Sequence, residues 1–216
     1  MWRPRLGVVQ LLVALAATAA LVAGGCGDDD DGSEGADNAV ELSGRIDQNG
    51  PAFKGYGFVT RIDGVNSSAL TVGGGSEITE KDARVTFVFD TELTSRAIVG
   101  DSFSVATAGA VTFYVNDRPG ASFEDSESFA AGEEVASGNL RVTDVVTVYA
   151  PNRGIATATG SLELEDASSF DLDGTEASIG ESGDEFRVTL TGRGIRTDAL
   201  IPESNFDFAG ELVLDD

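Results

Sequence analysis

Carboxylates are the residues here whose type and spacing could do chemistry. Between Arg153 and Arg187 there is no lysine or arginine, while nine aspartates and glutamates fall in that interval. Within it, Phe170-Asp-Leu-Asp-Gly-Thr-Glu-Ala177 reads as a β-hairpin turning on Asp173-Gly174. That register sets Leu172 against Thr175, Asp171 against Glu176 and Phe170 against Ala177. Two carboxylates directly across a ladder repel at a cost of roughly 0.2–1 kcal/mol. A neutralising basic residue must therefore come from elsewhere in the fold. A bound calcium ion would relieve the same repulsion, with Asp171, Asp173 and Glu176 as oxygen donors. The loop lacks EF-hand spacing, so such a site would bind in the ~10⁻⁴–10⁻³ M range of extracellular modules. The general behaviour of a charge run is a solvated face with diffuse counterions, and calcium is the specific alternative.

Carboxylates in pairs can also hydrolyse glycosides without histidine. They are abundant here, so their presence alone selects nothing. The chain has no histidine, which removes imidazole-activated nucleophiles, imidazole acid–base catalysis and histidine metal sites. Gly55-Tyr-Gly57 and Gly192-Arg-Gly194 begin like dinucleotide loops but lack the third glycine and a following helix. Glycine in such a strand context marks a bulge or a close approach.

The 216 residues hold 14 Lys+Arg against 37 Asp+Glu, a formal charge of −23. A field of that sign repels phosphate backbones, so nucleic acid is excluded as a partner. The first 25 residues carry Arg3 and Arg5, then an apolar run over Leu6–Val22, the anatomy of a secretory signal. Ala23-Gly24-Gly25-Cys26 follows, and Cys26 is the single cysteine. This stretch resembles the lipobox of bacterial lipoproteins, with Ala23 where leucine is commonest. The resemblance implies cleavage before Cys26, a diacylated residue there, and a cell-envelope protein held on its membrane by lipid. Two or more acyl chains suffice for stable anchoring. Loss of the leader would leave 12 basic residues against 37 acidic ones, a charge of −25, and no tryptophan, because Trp2 is the single one. Residues 26–38 would be the lipidated cysteine and an acidic tether, which has too little apolar surface to order itself.

From residue 39 to 216 the sequence predicts one all-β domain. Runs such as Val40–Ile46, Phe53–Ile62, Val85–Phe89, Val111–Val115, Ile155–Leu164 and Phe206–Leu214 are β-branched, aromatic or alternating. Gly, Asp and Asn punctuate them, which suggests short strands in an antiparallel sandwich or closed barrel. Leu140–Tyr149 is nearly continuous in β-branched residues and reads as a strand covered on both faces. Helix is scarce, with a single turn expected at Ser126–Ala131 and a weaker one at Ser76–Asp82. A membrane-spanning barrel is disfavoured by the lipid anchor, the short strands and the Asp215-Asp216 end.

These features describe a lipid-anchored extracytoplasmic module with a structural role, or one binding a protein or small-ligand partner without catalysis. No cofactor other than calcium is implied. The alternatives are a carboxylate-dependent hydrolase and a barrel carrying a small apolar ligand. For the second, the 12 phenylalanines could either fill a core or line a pocket. The two readings separate on whether the sheet closes around a cavity.

Overall fold

Alternation at period two governs the chain. In β1 (Ala39–Asn49), Val40, Leu42 and Ile46 take one side, while Glu41, Ser43 and Arg45 take the other. The computed structural model describes residues 39–75, 77–198 and 202–215. The leader, Cys26 and the tether, and hence the expected boundaries before residues 26 and 39, lie outside the described residues. The same pattern forms β2 (Ala52–Ile62), β3 (Val85–Val99), β4 (Ser102–Val115), β5 (Glu133–Ala150) and β6 (Arg153–Ala167). It continues through the β7 (Phe170–Leu172) and β8 (Thr175–Ala177) hairpin to β9 (Glu185–Asp198) and β10 (Glu203–Leu214). All strands but β7 and β8 close into one antiparallel barrel in the order β1-β10-β9-β6-β5-β4-β3-β2. Of the two architectures left open, the barrel is the one formed.

The expectation of short strands is overturned. The eight barrel strands run from 11 to 18 residues. Glycines that read as strand ends lie inside strands, at places where neighbouring backbones leave no room for a side chain. A Cβ on Gly109 would sit 2.0 Å from the Asp90 carbonyl oxygen, and one on Gly160 would sit 2.0 Å from that of Arg141. Glycine there lets the sheet bend enough to close.

Strands of this length could cross a bilayer, which takes about 9–11 residues, so length no longer argues against a membrane barrel. Sidedness does. Interior positions such as Leu42, Leu140, Leu162, Val188 and Leu212 are buried and apolar. Outward positions carry exposed Glu41, Arg141, Glu163, Arg187, Asp207 and Glu211. A membrane barrel has the reverse arrangement. The reading of Leu140–Tyr149 as covered on both faces is also corrected. Leu140 and Val142 are buried, but Val145 and Tyr149, on the outward parity, are 50% and 55% exposed.

Helix among the described residues is limited to two 3-10 turns. Ser126–Ala130 begins where expected, with the Asp125 carboxylate accepting the Glu127 N–H at 3.2 Å. Residues 77–82 form only bends and turns, and the other 3-10 turn is Ser67–Leu70.

The two ends of the barrel differ because their connections differ. At one end, residues 63–84 and 168–184 are long enough to fold back and fill the opening, while 116–132 packs on the outside of the wall. Leu70, Leu172 and Ile179 from the first two segments are at most 2% exposed and join the barrel core around Val40, Val85 and Phe186. At the other end, β1–β2, β3–β4 and β5–β6 are joined by two residues each. These two-residue turns are too short to cover the opening. A smaller core lies outside the wall, where Phe123 and Phe129 cover Tyr56 and Phe58 of β2.

Candidate functional site

The end with the two-residue turns, open among the described residues, holds a cavity of about 630 Å³, within the size range of small-molecule sites. Its wall comes from interior positions of nearly every barrel strand, including Phe53 on β2, Phe103 on β4, Val146 on β5, Ala156 on β6 and Phe206 on β10. The phenylalanines inside the barrel thus divide between two tasks. Phe87, Phe113 and Phe186 are at most 1% exposed and fill the barrel toward its plugged end. Phe53, Phe103 and Phe206 stay only part-buried and line the opening.

The two glycine pairs seat aromatic rings. Gly55 and Gly57 pair directly with Phe89 and Phe87, and Gly192 and Gly194 with Phe208 and Phe206. A Cβ on Gly55 would lie 2.0 Å from the Phe89 ring, and one on Gly194 would lie 2.3 Å from the Phe206 ring. Each ring therefore lies over bare backbone, which is the close approach that the motif suggested. Phe206 reaches the cavity wall because Gly194 leaves that space.

One titratable side chain belongs to the inner part of this wall. Asp144 pairs directly with Val105 on one side and Ala158 on the other, and Ala158 pairs with Leu190. Directly paired residues share a face, so this row across four strands points inward. Val142 and Val146 are the same-face neighbours of Asp144 along β5. Burial among these apolar groups pushes the Asp144 carboxyl up from 3.8 to about 6. Among the described residues no hydrogen bond or ion pair reaches it.

The polar groups nearer the opening are engaged otherwise. The Arg96 guanidinium lies 5.0 Å from the centre of the Phe103 ring. Arg196 Nε donates to the Asp198 carbonyl oxygen at 2.8 Å. Gln48 Nε2 donates to the Gly50 carbonyl oxygen, and its Oε1 accepts from the Ser204 hydroxyl. Backbone hydrogen bonds from Gly50 to Pro202, Leu93 to Pro51, Val148 to Asp101 and Arg196 to Asn152 lace the rim together. Such an arrangement can enclose an apolar body and offer it the Asp144 carboxyl on the inner row, with Glu203 at the rim.

The hairpin forms in the expected register, with Asp171 opposite Glu176. The basic neighbour comes from the start of β3. Arg84 Nη1 lies 2.9 Å from Asp173 Oδ2, and Arg84 Nη2 lies 3.0 Å from Asp117 Oδ1. Asp171 Oδ1 accepts the Gly174 N–H at 2.9 Å inside the turn. Among the described residues no three histidine, cysteine, aspartate or glutamate side chains converge as a metal-binding group. Glu176 also borders a second cleft of about 520 Å³ at the plugged end, among Ser178, Glu181 and Ser182. Cys26 lies outside the described residues.

Asp144 went unnoticed in the sequence, yet it left a signal there. Leu140, Val142, Asp144, Val146 and Val148 occupy one parity of β5, and the aspartate interrupts an otherwise apolar series. Reading the run as buried on both faces discarded the parity that marks it. No family model matches the chain, and neither a curated protein nor a solved structure shows significant similarity to it.

Proposed function

We propose that this chain is a non-catalytic binding module that carries a small, largely apolar ligand in the open end of its barrel. In this reading Cys26 holds it by lipid at an extracytoplasmic membrane. One observation carries the proposal: side chains fill the barrel at one end, while an aromatic-lined cavity stays open at the other. Tight, mutually hydrogen-bonded turns keep that opening in shape, so a ligand meets a wall already formed. Apolar burial at about 25 cal/mol per Å² would supply its affinity.

The test uses N-phenyl-1-naphthylamine, an uncharged dye at neutral pH whose emission rises in apolar surroundings. Saturable one-to-one enhancement is expected with the wild type. Ala156→Trp and Val146→Phe should each suppress it by filling the cavity, while keeping the strand-type circular dichroism. Equal enhancement with all three proteins, or none with the wild type, overturns the proposal.

A further inference from the structure

The cavity reading leaves Asp144 unexplained, and the inference drawn from that residue rests on the reading. We propose that the ligand is a lipophilic amine, whose ammonium group pairs with the Asp144 carboxylate on the inner row while its apolar body fills the cavity toward the mouth.

The argument begins with position. Asp144 stands between Val105 and Ala158 across the sheet and between Val142 and Val146 along its own strand. Every immediate interior neighbour is apolar. Asp144 is part-buried, and a carboxylate in such a wall loses much of its hydration and gains nothing from the protein in exchange. A core position that only had to fill space would be served better by valine. A ligand ammonium would supply the missing partner by a charge-assisted hydrogen bond. A hydroxyl would supply a weaker one, and a ligand carboxylate would be repelled.

The remaining charged groups on surrounding elements agree with this polarity. On β3, Arg96 pairs directly with Val105 and so continues the row of Asp144, but its guanidinium packs over Phe103. On β9, Arg196 is turned toward the Asp198 carbonyl. Arg153 stands at the start of β6 and Glu203 at the start of β10, both at the rim. The interior residues of β1 facing the cavity, Ile46 and Gln48, carry no charge. The row thus holds one carboxylate, Asp144, and ends one strand beyond Val105 in Arg96, whose guanidinium is held over the Phe103 ring, while Arg153 and Arg196 stand at strand ends near the mouth. The surplus of acidic residues over the whole chain, with formal charge −23, also draws cations toward the protein.

Calorimetric titration of the purified protein with decylamine, decanol and decanoate tests this, since the three probes share a tail length and differ in headgroup. At pH 8 decylamine should bind at least about tenfold more tightly than decanol, and decanoate most weakly, a gap of about 1.4 kcal/mol. Asp144→Asn should reduce decylamine to the level of decanol. Asp144→Leu should do the same while binding decanol at least as well, which separates loss of the carboxylate from loss of the fold. At pH 5 the wild type should lose most of its preference for decylamine as the carboxyl takes up a proton. Equal binding of decylamine and decanol by the wild type overturns the amine assignment and leaves the carrier reading standing. So does a decylamine preference that survives in both variants. Failure of all three probes to bind overturns the carrier reading itself.

Discussion

Arg84 Nη1 lies 2.9 Å from Asp173 Oδ2, joining the base of β3 to the tip of a hairpin 89 positions further along the chain. The guanidinium is buried, with its side chain 7% exposed, whereas its partners Asp173 and Asp117 are 77% and 85% exposed. Its Nε has no hydrogen-bond partner. The two sides of this cluster should therefore respond unequally. Removing the cation leaves two carboxylates that water can solvate. Removing both carboxylates leaves a buried cation that water cannot reach.

Urea denaturation checks this asymmetry. Arg84→Met should cost about 1 kcal/mol, the scale of exposed ion pairs. The double variant Asp117→Asn, Asp173→Asn should cost about 3 kcal/mol or more, the scale of an uncompensated buried charge. Asparagine suits position 173, where φ is +55°, since it tolerates the left-handed region. No loss in the double variant would mean that Arg84 acts by packing alone.

Gly55 offers a second test. Because its Cβ would fall 2.0 Å from the Phe89 ring, Gly55→Ala should destabilise the barrel by about 1–3 kcal/mol, the usual range for overpacking. The loss should shrink in a Phe89→Leu background, because directly paired residues do not act additively. Melting temperatures of the four proteins in the cycle measure the coupling.

Asp144 should make the fold less stable as pH rises through the acid range. Burial raises its carboxyl to about 6 in the folded protein, against 3.8 for an ordinary aspartate. Between those values the folded state holds a proton that the unfolded chain has released, so stability falls with rising pH. Above about pH 6 the full cost is present. Asp144→Asn should match the wild type near pH 4 and exceed it by about 1–3 kcal/mol at pH 8. Denaturation curves at pH 4, 5, 6 and 8 measure the difference, and comparison with the variant cancels the effect of the other acidic residues.

At the other end of the chain, Cys26→Ser should release the protein from the membrane fraction or leave an uncleaved precursor. Cell fractionation and the mass of the processed chain report both. A variant that is processed and fractionates like the wild type would count against the lipobox assignment.

The hairpin at Asp173-Gly174 was readable because a local turn fixes its own register. The strands around it were visible wherever alternation ran unbroken, as from Phe206 to Leu214. Their true lengths were hidden by glycines such as Gly109 and Gly160, whose role depends on a neighbouring strand far away in sequence. Arg84 illustrates the same limit, since local sequence shows that Asp171 and Glu176 repel but cannot say which distant cation answers them. The cavity was legible only as an alternative. Whether Phe53 and Phe103 fill a core or line an opening depends on the lengths of the connections at that end, and those become meaningful only once the sheet is closed.

The seam where β1 meets β10 aligns Ala39 with Val213, side by side at the plugged end. Opposed residues in antiparallel strands have Cα atoms about 4.5–5.5 Å apart. A few residues of flexible linker could thus weld the two strand ends, and new termini could be opened at the Gly100-Asp101 turn. β3 and β4 would be parted by the new break, β1 and β10 would become neighbours through the weld, and every other connection would be kept. The barrel is a ring in which the position of the break is an accident of order, and a circularly permuted chain should close the same wall around the same hollow.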